Sequence, residues 1–332
     1  MSIYFRPLVQ HGQTRPAGAY TLAGQSLWFT HVEALGRDAA PQIMAASGIP
    51  SGALERLTGP RAPIAGLDMQ APHIMGILNA TPDSFSDGGV HSSVEAARDA
   101  AARMVAHGAT ILDVGGESTR PGADFIPADQ EIARTRPVIE AIRAQTDALI
   151  SIDTRKASVA KAACAAGAGL VNDVSGFTFD PELAPFCAAK GTPVCVMHMQ
   201  GDPATMQENP IYDNVLLDVY DFLETQIALL ESLGLRRDLI IVDPGIGFGK
   251  TEDHNLTLLR NLSLFHGLGC PILLGVSRKG FIGTIGREPD KTARAPGSIA
   301  VALAGLSQGV QIIRVHDVAE TAQALRLWAA VR

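Results

Sequence analysis

The sequence predicts an α/β fold, a (β/α)8 TIM barrel with a small N-terminal extension. The 332 residues are 46% hydrophobic and only 18% charged, so the chain can bury a large core. Short apolar runs alternate with helical patterns, and eight of them start near residues 74, 110, 149, 169, 193, 239, 271 and 311. Polar residues follow each run where a strand would end. A doubly wound open sheet is the structural alternative, but eight parallel strands are the number that closes a barrel.

The first 72 residues differ in composition from the rest of the chain. They contain seven of the twenty prolines, and Gly-Pro and Ala-Pro breaks interrupt their short apolar runs. This pattern predicts that residues 1–72 form an extension of short strands and loops, packed on a barrel of residues 73–332. No residue pattern in the extension resembles a site, so its role is left unassigned.

Two helices of the barrel have recognisable ends. The pattern after residue 213 places apolar residues on one stripe and predicts a helix that ends at Gly234. The segment Ser92-Ser-Val-Glu95 resembles a capping box and predicts a helix that begins there.

Charge and cysteine content narrow the classes of function. The chain has 27 Lys and Arg against 34 Asp and Glu, a net charge of −7, so a basic surface for nucleic acid is not expected. The four cysteines form no CxxC pair and are expected to be buried, reduced thiols. No stretch approaches the ~18 apolar residues of a membrane span, and the first residues lack a signal-peptide core. We therefore expect a cytoplasmic protein with no membrane or nucleic-acid partner.

The chemistry of the predicted strand ends indicates a binding pocket. In a (β/α)8 barrel the carboxyl ends of all eight strands meet at one face, where active sites lie. A single Asp or Asn at such an end could simply cap the next helix, but capping does not require Arg or Lys. In chain order the predicted strand ends carry Asn79, Asp113 with Glu117, Asp153, Asn172 with Asp173, His198, Asp243, Ser277 to Lys279, and Arg314 with His316.

These strand ends fall into two chemical groups. The cationic segments Ser277–Lys279 and Arg314–His316 follow strands 7 and 8, where barrels often bind phosphate. Asp153, Asn172 and Asp243 offer acceptors and an amide that suit a planar heterocycle with paired N–H donors. The pattern therefore predicts a ligand with a flat, donor-rich end and an anionic end. The glycine-bearing loops 81–89 and 117–123 are either solvated surface loops or loops that close over this ligand.

Two further features have competing interpretations. The segment Pro244–Thr251 nearly matches a P-loop, but Pro244 has no N–H and replaces the first glycine, so we reject that assignment. Its glycines are instead expected to let the backbone approach a ligand or a strand. His198 could be a metal ligand or a base, but a polar residue satisfied within the core is favoured, since no HxxxH partner exists.

Eight ordered motifs resemble the dihydropteroate synthase family of pterin-binding enzymes over about residues 74–330. The segments that carry the resemblance are ILNATPDSFSDGG (77–89), DVGGESTRPGA (113–123), SIDTRK (151–156), GLVNDVSG (169–176), VMHMQGDPATMQ (196–207), DPGIGFGK (243–250), GVSRKGFIG (275–283) and IIRVHD (312–317). The resemblance implies a transferase that condenses 6-hydroxymethyl-7,8-dihydropterin diphosphate with p-aminobenzoate and releases pyrophosphate. It also implies a homodimer, a Mg²⁺ ion and a target of sulfonamides.

The resemblance assigns the site residues in three groups. The pterin would be held by Asp153, Asn172, Met197, Asp243, Phe248 and Lys279. The diphosphate would be held by Asn79, Arg314 and His316, with Asn79 also the ligand of Mg²⁺. p-Aminobenzoate would be surrounded by Phe85, Thr119, Arg120, Pro121 and Ser277. Among these residues, the family's catalytic roles would fall on Asp153, Lys279, Arg314 and His316.

Two other functions remain as alternatives. A methyltransferase that uses methyltetrahydrofolate and a corrinoid partner shares a pterin-binding barrel, but it has no need of cationic groups to receive pyrophosphate. A catalytically silent pterin-binding paralogue with a regulatory role should have lost residues of the leaving-group site or loops, and no such loss is identified.

Overall fold

The structure, a computed structural model, describes residues 3–80, 94–118, 125–201 and 205–331, and of residues 89–93 the backbone alone. Within these ranges, eight parallel strands form the barrel. They are β6 (His73–Asn79), β7 (Ile111–Gly115), β8 (Leu149–Asp153), β9 (Leu170–Asp173), β10 (Val194–Met197), β11 (Ile240–Asp243), β12 (Leu273–Leu274) and β13 (Ile312–Val315). They pair in the order β11-β10-β9-β8-β7-β6-β13-β12. A parallel bridge between Val242 and Ile272 joins the two ends of this sheet, so the barrel is closed as the sequence predicts.

Helices cover the outer face of the barrel. They are α2 (Gly89–His107), α3 (Ala128–Arg143), α4 (Ala157–Ala166), α5 (Leu183–Lys190), α6 (Val215–Ser232), α7 (Glu252–Arg260), α8 (Gly280–Ile285), α9 (Ala295–Leu306) and α10 (Val318–Val331). The helix predicted after residue 213 is α6, and Gly234 follows its last turn with a φ of +96°. The capping box predicted at Ser92 is wrong, because α2 already begins at Gly89 and Ser92 lies inside it.

One layer of side chains fills the amino-terminal half of the barrel. Each of the eight strands contributes one buried residue to it, namely Met75, Ile111, Leu149, Leu170, Cys195, Ile241, Leu273 and Ile312. Ile64 and Met69, which precede the first barrel strand, pack against this layer and are fully buried. The amino-terminal end of the barrel is therefore plugged by the chain that leads into it.

The residues before the barrel form short antiparallel strands and one helix. These are β1 (Tyr4–Pro7), β2 (Tyr20–Thr21), β3 (Trp28–Phe29), β4 (His31–Leu35), β5 (Gln42–Ala45) and α1 (Ser51–Thr58). They enclose a small apolar cluster of their own around Leu27 and Phe29. The Tyr4 hydroxyl donates to Asp221 at 2.7 Å, and the Arg61 guanidinium donates to the His266 carbonyl at 3.0 Å. The division of the chain at residue 72 stays a prediction.

The four cysteines all lie within the described residues. All four cysteines are free thiols, and three of them are buried while Cys164 is half-buried. No helix within the described residues is both long and apolar enough to cross a membrane.

Candidate functional site

The period of two along a β-strand places the polar residues inside the barrel. Successive side chains of a strand point to opposite faces, so residues two positions beyond the buried apolar layer also point inward. Counting two residues from that layer gives Ile77, Asp113, Ser151, Asn172, Met197, Asp243, Gly275 and Arg314. Counting four gives, among others, Asn79, Asp153, Ser277 and His316. The register supports this, since Gly115 pairs with Asp153 and Met197 pairs with Asp243.

An ionic cluster of Asp113, Asp153 and Arg314, here called the strand-end triad, spans the pocket. The Nε of Arg314 donates to Asp113 Oδ2 at 2.6 Å, and its Nη2 donates to Asp153 Oδ2 at 2.7 Å. Asp113 Oδ2 also accepts from Asn172 Nδ2 at 3.2 Å. Asp113 is fully buried, whereas the Arg314 side chain is 22% exposed. The triad carries a net charge of −1 when both carboxyl groups are ionised.

Burial competes with charge pairing in setting the pKa values of the triad. It raises the pKa of Asp153 to about 7, because the attraction of Arg314 does not offset desolvation and the repulsion of Asp113, Glu131 and Asp173. Burial acts to lower the pKa of Arg314, but the neighbouring carboxylates overcome it and raise that pKa. Arg314 is therefore always a cation, while Asp153 changes charge near neutral pH.

Asp243, at the end of β11, is a second buried carboxyl group in the pocket. Its Oδ1 accepts from the backbone N–H of Gly245 at 2.7 Å. Burial raises its pKa to about 6, while the Gly245 N–H and the charges of Lys279, Lys250 and Arg314 act in the opposite direction. The other oxygen, Oδ2, lies close to Gly275, where β12 has ended.

The loop after Asp243 holds Phe248 beside Lys279. The Lys279 Nζ lies 4.1 Å from the centre of the Phe248 ring, a cation–π contact that orients both side chains. Gly245 has a φ of +68°, and a β-carbon there would lie 1.9 Å from the His198 carbonyl oxygen. The glycine is thus needed for a close approach between two strand ends, which is the role predicted for the glycines of this segment.

Lys250, which would be the P-loop lysine, points into the protein. Its Nζ lies 2.8 Å from His198 Nδ1 and donates to the carbonyl oxygens of Gly245 at 2.9 Å and Phe248 at 3.0 Å. Burial lowers its pKa to about 7. Because its N–H groups are committed to the loop backbone, Lys250 cannot receive phosphate, in agreement with the rejected P-loop assignment.

His198 is a satisfied core residue, the favoured interpretation of the sequence. Its ring packs edge-on against Phe222, with 4.9 Å between centroids, and its pKa is well below the ordinary value because of burial and the Lys250 charge. Among the described residues, no group of three or more His, Cys, Asp or Glu side chains could hold a metal ion.

Ser277 and His316 meet at the ends of β12 and β13. The Ser277 Oγ accepts from the His316 backbone N–H at 3.2 Å and lies 2.9 Å from His316 Nδ1. This contact fixes the orientation of the imidazole. Arg278, between Ser277 and Lys279, forms an ion pair with Asp317. Arg278 thus neutralises an acid that follows the neighbouring strand β13.

Asn79 ends β6 and is half-buried beside Gly115. An amide oxygen is a hard donor of the kind that Mg²⁺ accepts, and Mg²⁺ keeps several waters when it is held by one protein ligand and substrate phosphates. No thiol competes for this position, since Cys195, the cysteine of the barrel interior, belongs to the apolar layer below. The donors at this strand end therefore fit a magnesium ion that is held mainly by an anionic ligand.

A second ionic cluster, here called the loop brace, comprises Glu117, Glu131, Arg155 and Lys156. Lys156 Nζ donates to Glu131 at 2.6 Å, to Glu117 at 3.1 Å and to the Ile126 carbonyl at 2.6 Å. Arg155 donates to Glu117 at 3.2 Å. Burial would raise the pKa of Glu117, but the Ile126 N–H, Arg155 and Lys156 together lower it. These four side chains are at most 7% exposed.

The structure brings some of the predicted strand-end residues together, and the roles assigned to them stay predictions. The inward face carries Asn79, Asp113, Asp153, Asn172, Asp243, Ser277, Arg314 and His316, and Lys279 and Phe248 border it. Asp173, His198 and Glu117 have other surroundings, a turn, the packing against Phe222 and the loop brace. Four residues predicted for p-aminobenzoate, Phe85, Thr119, Arg120 and Pro121, lie outside the described residues. Sequence reasoning noted Asp113 as a strand end but did not include it among the site residues. The signal available in the sequence was that Asp113 lies two positions after Ile111, so that both side chains point into the barrel.

Comparison with known proteins identifies a family for most of the chain. Residues 75–316 match the family described as pterin binding enzyme. The chain is 46% identical to the dihydropteroate synthase of Escherichia coli K12 over 261 residues, which covers 79% of this chain and 92% of that protein. The corresponding enzyme of Haemophilus influenzae is 45% identical over 264 residues, covering 80% and 95% of the two chains.

Solved structures agree in fold and in sequence. A Yersinia pestis dihydropteroate synthase in a sulfonamide drug complex is 44% identical with a TM-score of 0.76, covering 80% of this chain and 96% of that one. A Xanthomonas albilineans dihydropteroate synthase with 4-aminobenzoic acid has the same four values. The latter enzyme in complex with 7,8-dihydropteroate gives a TM-score of 0.72 at 40% identity, covering 80% and 95%.

Proposed function

The chain belongs to the pterin-binding enzyme family, among the dihydropteroate synthases, and from this premise we propose how its strand-end residues divide the reaction. It is a transferase of folate biosynthesis that condenses 6-hydroxymethyl-7,8-dihydropterin diphosphate with p-aminobenzoate to give 7,8-dihydropteroate and pyrophosphate. One observation carries the division of roles. The guanidinium of Arg314 is held between two inward carboxylates, so cationic and acceptor groups meet at a single position in the barrel.

The pterin end of the substrate is assigned to Asp153, Asn172 and Asp243. Pterins present adjacent ring and amino N–H donors, which a carboxylate can accept in pairs. Supporting this assignment, Asp243 keeps Oδ2 on the pocket side while Oδ1 is occupied by the loop backbone. Met197 lies directly beside Asp243 in the register and gives the ring an apolar, polarisable wall.

Lys279 and Phe248 complete the pterin pocket. Their mutual contact holds the ammonium group at the rim and presents the aromatic ring as a surface. An ammonium there can donate to the pterin carbonyl oxygen, which would otherwise lose its hydration on entering the barrel. Burial without such a donor would weaken the binding of the heterocycle.

The diphosphate end is assigned to Arg314, His316 and Asn79. Two nitrogens of Arg314 donate to carboxylates, and Nη1 is the remaining one, available to a phosphate oxygen. His316 is fixed by Ser277 through Nδ1. A magnesium ion held by Asn79 and the diphosphate would neutralise phosphate charge, as the enzyme family requires.

The chemistry we propose is a loose, SN1-like substitution. The bond between the pterin methylene carbon and the diphosphate oxygen breaks first, and pyrophosphate leaves with the electron pair. Arg314 and His316 stabilise the charge that develops on it. The methylene carbon becomes cation-like, which the ionised Asp153 stabilises. The aniline nitrogen of p-aminobenzoate then forms the new C–N bond and releases a proton to solvent.

The p-aminobenzoate site is assigned to Ser277 together with Phe85, Thr119, Arg120 and Pro121. Three of these come from one loop and Phe85 from another, so neither loop alone makes the pocket. We propose that the loops close over a bound pterin diphosphate and thereby create this pocket. Sulfonamides, which mimic the aniline and the acidic group, should then bind tightly only when pyrophosphate occupies its site.

We also propose a cytoplasmic homodimer, in line with the family. Reduced cysteines agree with the first part, since all four are free thiols. Sedimentation equilibrium at several protein concentrations tests the second, because a single species with the mass of one chain would contradict it.

The deciding experiment is synthesis from purified components. Incubation with the dihydropterin diphosphate, p-aminobenzoate and Mg²⁺ should give dihydropteroate and pyrophosphate in equal amounts. Release of pyrophosphate without dihydropteroate would indicate hydrolysis and contradict the proposed reaction.

The division of roles has its own test. Asp243→Ala should weaken binding of a pterin without diphosphate about ten- to hundredfold, since a hydrogen bond to a charged group is lost. The same variant should bind pyrophosphate as the unaltered protein does. Unchanged pterin affinity in calorimetry of a folded variant would remove Asp243 from the pterin site.

A second titration tests the closing loops. A sulfonamide is titrated into the protein with and without Mg²⁺ and pyrophosphate. Much tighter binding in their presence is expected, and equal affinity in both titrations would show a preformed pocket.

A further inference from the structure

We propose that Asp113 is a positioning residue that orients Asn172 at the pterin end of the substrate site and Arg314 at the diphosphate end. This inference rests on the proposed division of roles between a pterin end and a diphosphate end. Asp113 lies at the inward face of β7, one layer above the apolar plug, and is completely buried. It is placed to act on the substrate through its two neighbours.

One oxygen of Asp113 holds a residue from each end of the site. Oδ2 accepts from Arg314 Nε at 2.6 Å and from Asn172 Nδ2 at 3.2 Å. The Arg314 residue belongs to the diphosphate end and the Asn172 residue to the pterin end. A change at this oxygen therefore alters the hydrogen-bond partners of both residues.

The contact with Asn172 selects the orientation of its amide. An amide has two faces of opposite chemistry, a donating NH2 and an accepting oxygen. Because the NH2 of Asn172 donates to Asp113, its oxygen points away from Asp113 and can accept from an N–H of the pterin. Without the carboxylate, the amide can rotate by half a turn and present a donor where the ligand also has a donor.

The contact with Arg314 prevents its guanidinium from forming a two-pronged ion pair with Asp153. With Nε bound to Asp113, only Nη2 reaches Asp153. If Asp113 loses its charge, Asp153 becomes the remaining carboxylate partner of Arg314, and a two-pronged pair between them becomes the favoured arrangement. That pair would remove the Asp153 carboxylate from the substrate.

Asp173, at the end of β9 and two strands away from Asp113, is a buried carboxylate with only structural contacts. Its two oxygens accept from the Ser175 N–H, the Ser175 hydroxyl and the Phe177 N–H at 2.6–2.7 Å. Asp113, in contrast, leaves Oδ1 without a hydrogen-bond partner among the described residues. The carboxylate of Asp113 is thus engaged by Arg314 and Asn172, two residues of the proposed substrate site, and not by the backbone of a turn.

The test is Asp113→Asn, with Asp173→Asn as a matched control. Both exchanges remove one buried charge at nearly constant volume. In Asp113→Asn, we expect the affinity for a pterin without diphosphate to fall about tenfold or more. Inorganic pyrophosphate should bind at least as tightly as in the unaltered protein, because a repelling charge has gone while Arg314 remains. The kcat of the condensation should fall while the KM for the diphosphate substrate changes less.

The control should separate orientation from stability. Asp173→Asn is expected to unfold at a lower denaturant concentration without a split between the two ligands. Equal losses of pterin and pyrophosphate affinity in Asp113→Asn, or pterin affinity and kcat that stay unaltered, would overturn the proposal. Asp113→Ser provides a second variant, and failure of both variants to fold while Asp173→Asn folds would assign Asp113 to stability alone.

Calorimetry of the unaltered protein distinguishes this inference from the proposed function. If that protein binds neither ligand, the proposed function fails. If it binds both and Asp113→Asn behaves identically, only the positioning role fails. A double-mutant cycle with Asn172→Ala adds a third measurement, since the two losses of pterin affinity should be strongly non-additive.

Discussion

Two ionic clusters lie near the carboxyl end of the barrel, and Lys156 in one differs from Arg314 in the other in how many of its N–H groups have a partner. In the loop brace, the ammonium of Lys156 has three partners, Glu117, Glu131 and the Ile126 carbonyl, for its three N–H groups. In the strand-end triad, the guanidinium of Arg314 has five N–H groups and two carboxylate partners. Lys156 is therefore saturated, whereas Arg314 is held in place with N–H groups to spare. The other cation of the brace, Arg155, also has an unpaired Nε, but its side chain is only 7% exposed.

This difference separates a structural cluster from a binding site. The brace side chains are almost completely shielded from solvent, while Arg314 is 22% exposed. A saturated, shielded cation stabilises the chain next to the loop that follows β7. A partly exposed cation with unused donors, fixed in place by buried acids, can receive an anion without reorganising.

The comparison predicts that breaking the brace will affect stability most. Lys156→Met leaves the buried Glu131 without a cation and Glu117 with Arg155 alone. Breaking a buried pair in this way typically loses about 3–5 kcal/mol. The free energy of unfolding in urea measures this loss. Lys190→Met, at an exposed lysine, is the control and should stay within about 0.5 kcal/mol. A loss no larger than that of the control would mean that the brace is not a stabilising cluster.

Breaking the triad should instead affect catalysis. Arg314→Ala removes a preorganised donor at the developing negative charge, so kcat/KM should fall about 100- to 1,000-fold. The unfolding free energy should change less than in Lys156→Met, because Asp153 can bind a proton near neutral pH once its partner is gone. Steady-state rates and urea unfolding on the same preparations test this. A stability loss equal to that of Lys156→Met would place Arg314 among the structural cations.

The two clusters should also respond differently to pH. The raised pKa values of Asp153, about 7, and Asp243, about 6, mean that acidification neutralises them first. Pterin affinity should therefore fall between about pH 8 and pH 5, by roughly tenfold per pH unit below the pKa for each carboxylate that must be ionised. Isothermal titration at several pH values measures this, and Asp153→Asn should remove the part centred near pH 7.

The brace should be unaffected over the same range. Glu117 has a lowered pKa, so its stabilising contribution is complete above its ordinary value of 4.5 and is lost only as pH falls below that.

A pterin affinity that does not change down to about pH 5 would show that Asp153 and Asp243 bind the ligand in their neutral form.

The smallest effect is expected at an exposed ion pair. Arg136 and Glu140 lie one turn apart on α3 with side chains 60% and 50% exposed. Arg136→Ala should lower the unfolding free energy by only about 0.3–0.5 kcal/mol and leave kcat unchanged. A loss comparable to that of Lys156→Met would show that burial is not what distinguishes the brace.

The strands and their polar ends could be predicted because they follow from periodicity. Eight apolar runs mark eight strands, and the alternation of side chains brings Asn172, Asp243 and Arg314 to one inward face. These signals are local, since each needs only a few neighbouring residues. The predicted helix after residue 213 was confirmed for the same reason.

The pairing of charges could not be predicted in this way. Arg314 contacts acids that precede it by 201 and 161 residues, and only closure of the barrel decides which of the inward acids it meets. Asp113 lies two residues and Asp173 three residues beyond the buried layer, so alternation separates their faces. It does not show that Asp113 contacts Arg314 and Asn172 or that Asp173 caps a turn. The capping box at Ser92 failed because such a motif is a local preference of about 1 kcal/mol, which further helical residues before it can override.

The plug at the amino-terminal end of the barrel determines the route by which ligands can reach the pocket. Ile64 and Met69 seal the lower mouth against a ring of apolar side chains, so the pocket is blind at its base. A ligand bound among the inward strand-end residues must enter and leave through the carboxyl-end mouth. Both substrates and both products must therefore pass through this one mouth. Slow departure of either product would make the enzyme sensitive to its own output.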